Sequence, residues 1–382
     1  MRPSRILVVD DEPGMLRAVE RVLGDEHQVV GSRSSKEAVA VAAEFKPELA
    51  IVDIRMPELD GFELMARLKA RLPALDIILM TGSVDDLDEK LVRAIRSHAF
   101  YFIQKPFDRE VLKTLVERCL ELRWRRDESR QHLQQLETQI AEARAFQQSL
   151  LPEQEAVVHR MAICCRYTPC SGLGGDLYDY AAAKDGQTAL LIADVSGHGV
   201  SAAMLTGIVK SAFHASRVDG YEPLAVVERV WTGLAAFSPD RFVTLFAALV
   251  APDERRLRYV NAGHPSCILW GEARHPVWMA STGPIVSPAF PASKWAVEAV
   301  TIDVGDQLLL YTDGVSDVLA DADGCADAQI ETAIERTSQG GAQLLDAISA
   351  DVQQHLDGRP QPDDLTLLTA GVVGRPNVVG CS

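Results

Sequence analysis

Three acids in the first third of the chain stand at the ends of apolar runs. Asp10 and Asp11 follow Ile6-Leu7-Val8-Val9, and Asp53 follows Leu49-Ala50-Ile51-Val52. Thr81 closes the run Ile77-Ile78-Leu79-Met80, and Lys105 comes just after the run from Ala99 to Ile103. Carboxylates gathered at one sheet edge repel one another and resist ionisation unless a divalent cation and an ammonium offset them. That combination is a magnesium site with a nucleophilic carboxylate, suited to accepting a phosphoryl group. Helix capping is the plain alternative for any one of these acids. It does not account for the pair at 10 and 11 together with Thr81 and Lys105.

A second set lies in glycine-rich settings: Asp176 in GGDLYD, Asp194 in IADVSGHG, Asp313 in LYTDGVSD, and Asp363 with Asp364 in PDDLT. Asp194 and Asp313 end apolar runs, and Leu365 begins one. Neighbouring glycines remove side-chain bulk and let such acids approach. Oxygen-only ligation favours Mg²⁺ or Mn²⁺ over zinc, which takes His and Cys. Two such ions ~3.5–4 Å apart activate water and clamp a phosphoryl group. Asp313-Gly314 alone would read as a hairpin turn; the ordered set carries the signal. His198 is placed to act as a general acid, whereas His264 suits a loop-fixing role.

The elements that must position these groups follow from periodicity. Residues 1–118 alternate apolar runs with helical patterns near 14–23, 35–45, 62–71, 85–97 and 108 onward, which predicts a parallel α/β sheet covered on both faces. Its functional groups then collect at the carboxyl ends of the strands. Residues 119–152 read as a helical linker. The stretch 108–150 contains no Gly or Pro, and Leu112, Leu115, Cys119, Leu122, Leu133, Leu136, Ile140, Ala143 and Leu150 recur at 3,4 spacing. Arg126, Ser129 and Gln147 interrupt this seam. The pattern predicts a parallel coiled-coil homodimer, with an amphipathic helix packed on its own domain as the alternative. Pro152 ends the helix. Residues 153–372 carry strand runs near 189–194, 242–250, 257–261, 267–270, 297–304, 307–312 and 365–370, with helices near 200–216, 222–236, 326–337 and 342–356. That order predicts antiparallel sheets flanked by helices, and 373–382 reads as a flexible tail.

The 382 residues hold 38 Lys and Arg against 54 Asp and Glu, a net charge of −16. Such a surface repels nucleic acid and anionic lipid, and no basic recognition helix follows the first domain. The seven cysteines form no C-x-x-C pair, as expected of reduced thiols in the cytoplasm. Acids at 10 and 11 interrupt any signal-peptide core, and no apolar run approaches the ~20 residues that span a bilayer.

VVDDE at 8–12, DIRMPELDG at 53–61, MTG at 80–82 and KPF at 105–107 resemble a two-component receiver domain. The resemblance implies a doubly wound five-stranded sheet of order 2-1-3-4-5, with Asp53 as the phosphoacceptor for a histidine kinase or phosphotransfer protein. Asp10, Asp11, Asp53 and the Arg55 carbonyl would hold Mg²⁺, and Lys105 and Thr81 would contact the phosphoryl group. Phe102 falls at the aromatic switch position, where a core aromatic is the alternative. QQSLLP at 147–152, GGDLYD at 174–179, DVSGHG at 194–199, NAGHP at 261–265, GDQLLLYTDG at 305–314 and DDLT at 363–366 resemble the PPM, or type 2C, phosphatases of the SpoIIE and RsbU branch.

That second resemblance implies a sandwich of two antiparallel sheets between helices, and hydrolysis of phosphoserine or phosphothreonine by water without a phosphoenzyme. Asp194 would bridge two Mn²⁺ or Mg²⁺ ions. Asp176 and the Val195 carbonyl would complete one, and Asp313 with Asp363, or alternatively Asp364, the other; Asp317 would serve a weaker third ion. The implied substrate is a phosphorylated STAS-type anti-sigma-factor antagonist. Cys170 stands where the family has a small residue, and no clear counterpart of the phosphate-binding arginine of eukaryotic members is present, Arg166 being a weak candidate. The alternative function is a non-enzymatic adaptor that controls sigma-factor availability or proteolysis by binding.

Overall fold

The computed structural model describes residues 2–82, 101–197, 199–236, 241–272, 274–291, 294–320, 326–337 and 340–374. His198 and the helix expected over 85–97 lie outside the described residues. The chain divides into two compact units, Met1–Leu136 and Glu137–Ser382.

In the first unit, β1 (Arg5–Val9), β2 (Gln28–Ser32), β3 (Leu49–Asp53), β4 (Asp76–Thr81) and β5 (Tyr101–Gln104) form one parallel sheet of order β2-β1-β3-β4-β5. β1, β3 and β4 are nearly continuous apolar segments because both faces are covered. One face packs with helices Ser35–Phe45 and Gly61–Arg71; the other packs with helix Pro13–Leu23 and the start of helix Arg109–Leu150. Ser34 and Asp60 cap two of these helices, accepting from the amides of Glu37 and Glu63.

The helix Arg109–Leu150 runs unbroken over 42 residues. The seam expected along it is divided among three environments. Leu112 and Cys119, with Val116 and Leu120, are buried in the first unit's own core. Arg126 breaks the apolar pattern because it pairs at 3.0 Å with Asp76, a buried acid that Arg123 also holds at 3.1 Å. Leu133, Leu136 and Ile140 are exposed, and Gln147 is buried within the second unit.

The second unit is a four-layer sandwich. One sheet has the order β14-β11-β10-β9-β8 and the other β13-β12-β15-β16-β7-β6. The first comprises β8 (Asp176–Ala182), β9 (Thr188–Val195), β10 (Val243–Ala251), β11 (Arg256–Ala262) and β14 (Glu298–Thr301). The second comprises β6 (Glu155–Val158), β7 (Met161–Thr168), β12 (Cys267–Gly271), β13 (Arg274–Met279), β15 (Gln307–Tyr311) and β16 (Leu365–Val372). Between them lie Tyr178, Ile192, Phe246, Cys165, Leu310 and Leu368. Helices Val200–Ala215 and Pro223–Leu234 cover the outer face of the first sheet. Asp313–Leu319, Asp327–Thr337 and Ala342–Leu356 cover that of the second.

Strands β6, β7, β8 and β13 carry no clear sequence signal. β7 alternates buried Met161, Ile163 and Cys165 with outward Ala162, Cys164 and Arg166, a pattern blurred by small and charged residues. Phe246 is fully buried between the sheets and stacks on Tyr259 with ring centroids 5.2 Å apart. Phe246→Ala is expected to cost about 3–5 kcal/mol in urea unfolding of the second unit; a cost below about 1 kcal/mol would contradict the tight packing described.

Candidate active sites

The parallel sheet delivers its polar residues to one edge. Asp53 is the last residue of β3, Thr81 the last of β4, and Asp10 and Asp11 follow β1. Carboxylate oxygens of Asp10, Asp11 and Asp53 lie within 4.8 Å of one another. Lys105 Nζ donates to Asp10 Oδ2 at 2.5 Å and sits 3.3 Å from Asp53 Oδ2. Burial, then the charge of Asp10, holds the Asp53 carboxyl above its ordinary range, against the opposing pull of Lys105. Burial disfavours the Lys105 ammonium, but its bonds and attraction to Asp10 and Asp53 outweigh that and raise it. One ammonium against three carboxylates leaves an excess of negative charge on oxygen donors, which fits a hard divalent cation.

The backbone behind Asp53 is close-packed. Gly61 N donates to Ile54 O at 2.9 Å, and a Cβ on Gly61 would collide with the Asp53 carbonyl. Lys105 N donates to Thr81 O at 2.6 Å, tying the lysine loop to β4. Arg55 lies in the loop after β3, and Phe102 is half-buried on β5, against the same apolar cluster as Leu79.

In the second unit, antiparallel pairing of β8 with β9 sets Asp176 directly opposite Asp194. β15 and β16 pair beside each other, with Tyr311 opposite Leu367, so Asp313 and the acids at 363 and 364 emerge at one end of the other sheet. Two hydroxyls stitch the sheets there: Thr312 Oγ1 and Thr366 Oγ1 donate to Asp176 Oδ2 at 2.8 and 2.5 Å. Neither threonine is marked by sequence spacing, although both belong to the YTDG and DDLT segments.

Asp313-Gly314 starts the helix Asp313–Leu319 and is not a hairpin turn. Its glycine is required by contact, because a Cβ there would strike the Asp364 carbonyl. Asp364 is buried, and both its oxygens are taken: Oδ1 accepts from Cys170 N at 2.8 Å and Oδ2 from Gly175 N at 2.6 Å. Asp363 accepts the adjacent Asp364 amide at Oδ1, at 2.8 Å, and Gln361 Nε2 at its carbonyl, at 2.6 Å. Asp317 is exposed one turn beyond Asp313.

Burial, then Asp194, raises Asp176 well above the usual carboxyl range, while Thr366 and Thr312 oppose the rise. Burial with Asp313, Asp363 and Asp364 pushes Asp194 up to about 7. Burial with Asp363 and Asp317 raises Asp313. Among the described residues the charges acting on these three groups are all acidic, and oxygen donors in that state fit divalent cations of the Mg²⁺ or Mn²⁺ kind.

The remaining candidates are placed elsewhere or otherwise engaged. Buried His264 shares a hydrogen between Nδ1 and Thr244 Oγ1 at 2.9 Å, its amide donates to Asn261 Oδ1, and burial drives its ring down to about 3, so it is neutral. Arg166 points away from the acids and bonds Asp346 at 2.9 Å on helix Ala342–Leu356. Cys170 Sγ lies within 4.8 Å of carboxylate oxygens of Asp363 and Asp364. Arg241, unmarked by any motif, donates to Ser196 O and Ser201 Oγ and braces the loop after Asp194.

The raised Asp194 has a thermodynamic consequence. Its folded value of about 7 exceeds the ordinary 3.8, so without metal the folded state binds more protons than the unfolded one. The stability it contributes is complete below 3.8 and lost as pH rises through about 7. In EDTA the thermal midpoint is expected to fall between pH 5 and pH 8, and Asp194→Asn should flatten that fall and raise the midpoint at pH 8. A pH-independent midpoint shared by both proteins would remove the charge crowding.

Known proteins match both units. The response regulator receiver domain model covers residues 6–117, and the stage II sporulation protein E (SpoIIE) model covers residues 184–373. The chain is 27% identical over 260 residues to Protein IcfG of Synechocystis sp., spanning 60% of this chain and 41% of that protein. It is 29% identical over 183 residues to phosphoserine phosphatase RsbP of Bacillus subtilis, spanning 47% of this chain and 45% of RsbP. It therefore spans less than half the length of these relatives. The SiaA-PP2C domain of Pseudomonas aeruginosa shares the fold, with a TM-score of 0.54 and 19% identity over 62% of this chain and 96% of that one. The chain joins a response regulator receiver domain to a phosphatase domain of the SpoIIE, PPM-type family.

Proposed function

We propose that this chain is a phosphorylation-controlled protein serine/threonine phosphatase. Asp53 accepts a phosphoryl group from a histidine kinase or phosphotransfer protein, and the second unit hydrolyses phosphoserine or phosphothreonine on a STAS-type anti-sigma-factor antagonist. The carrying observation is the register that sets Asp176 against Asp194, with acids alone acting on Asp194 among the described residues. The similarity to a protein named phosphoserine phosphatase supports phosphoserine as the group hydrolysed.

In this reading Asp10, Asp11, Asp53 and the Arg55 carbonyl hold Mg²⁺ in the receiver. Lys105, already within 3.3 Å of Asp53, steadies the incoming phosphoryl oxygen, and Thr81 donates to another. In the second unit Asp176, Asp194, Asp313, Asp363 and the Val195 carbonyl would hold Mn²⁺ or Mg²⁺. Asp363 is preferred to Asp364 as the ligand, since each oxygen of Asp364 already accepts a backbone amide. The bound ions would supply charge neutralisation at the phosphoryl group and an activated water. Exposed Leu133, Leu136 and Ile140 are the part of the helix free to form a homodimer seam. That helix is the covalent route between the two domains, so regulation requires it to have two arrangements.

Full-length protein assayed on a phosphoserine peptide should release phosphate only with Mn²⁺ or Mg²⁺, and Asp194→Asn should abolish the release. No metal-dependent turnover by the wild type sinks the enzymatic reading. Beryllofluoride should change the wild-type rate and leave that of Asp53→Asn unchanged; equal responses would remove Asp53 from control.

A further inference from the structure

Gln147 is one of three residues that break the apolar spacing of the long helix, and unlike Ser129 and Arg126 it is buried, at 7% exposure. Its carboxamide grips one residue at both polar groups: Nε2 donates to Gly174 O at 2.6 Å, and Oε1 accepts from Gly174 N at 3.2 Å. Nε2 also lies 3.5 Å from Thr206 Oγ1 on helix Val200–Ala215. Packing of the helix end is carried separately by Leu151, which touches the cores on both faces of the first sheet.

Gly174 and Gly175 lead directly into Asp176. Side chains are excluded from both: a Cβ on Gly174 would strike Tyr167 Oη and Asp364 Oδ2, and one on Gly175 would meet Val195 O at 2.6 Å. A segment without side chains is placed only by what holds its backbone. Gly199 N donates to Leu173 O at 3.3 Å, Asp364 Oδ2 accepts from Gly175 N, and Val195 N donates to Gly175 O at 3.1 Å. Those three grips come from residues on or next to the segments that carry the clustered acids, and Ser171 Oγ adds a local bond to Leu173 O at 2.8 Å. A further grip comes from outside them, from Gln147.

We infer that Gln147 is a positioning residue for metal binding: its carboxamide fixes Gly174 and so sets where Asp176 and the Val195 carbonyl stand. The inference rests on the phosphatase reading above. Polar groups that orient metal ligands without touching the metal commonly change affinity by about 10–100-fold. Gln147→Met keeps length and apolar volume and removes both bonds to Gly174. Gln147→Asn keeps the carboxamide but is one methylene too short to reach, and serves if the first variant does not fold.

Mn²⁺ binding to metal-free full-length protein, read by electron paramagnetic resonance of free Mn²⁺, should weaken at least about tenfold in either folded variant. The Mn²⁺ dependence of turnover should shift to match, with much of the rate regained at saturating Mn²⁺. Phe146→Ala, at the exposed neighbouring position, should bind Mn²⁺ as the wild type does. A folded Gln147 variant with a lower thermal midpoint but wild-type Mn²⁺ affinity overturns the inference and leaves Gln147 a packing residue. A wild type that neither binds Mn²⁺ nor turns over overturns the phosphatase reading instead, and this inference with it.

Discussion

Mutual repulsion of carboxylates in partly dry surroundings is the constraint on which both halves of this protein turn. Each unit sets acids at its strand ends close enough to repel one another. The receiver relieves the strain internally with Lys105, which reaches both Asp10 and Asp53. Among the described residues of the second unit no such counter-charge acts on Asp176, Asp194 or Asp313; Asp176 has two threonine hydroxyls, and Asp364 has two backbone amides. Neutral donors soften a buried charge without cancelling it, so the second site has the stronger demand for cations.

Bringing the acids together requires that backbone pass close to backbone. Gly61 lies against the Asp53 carbonyl, Gly175 against that of Val195, and Gly314 against that of Asp364. At each of these contacts a methyl group would separate the loops that the site needs in contact. The glycines in GGDLYD and TDG therefore act as spacers of minimum size, and none of these three needs a left-handed backbone.

The long helix serves three surroundings in succession. Its first turns complete the receiver core, Arg123 and Arg126 clasp Asp76, and Gln147 enters the wall of the second site. Only the stretch around Leu133, Leu136 and Ile140 keeps an apolar stripe in the open. A uniform 3,4 repeat thus overstates the seam, because periodicity reports which face is apolar and not what covers it.

Sequence alone determined the receiver sheet and the long helix, and it singled out acids at the strand ends of both units. Period and strand-end position are local properties that a single chain displays, and the glycine-flanked acids repeat that logic in the second unit. Tertiary structure decided the rest. It assigned Asp364 to two amides and left Asp363 less encumbered, turned Asp313-Gly314 into a helix start, and withdrew Arg166 to Asp346. It also buried Gln147 against Gly174 and recruited Thr312 and Thr366 across the two sheets. Apart from the local contact of Asp363, the hydrogen bonds among these outcomes join partners 27 to 194 residues apart in sequence, and pairing at that separation leaves no period to read.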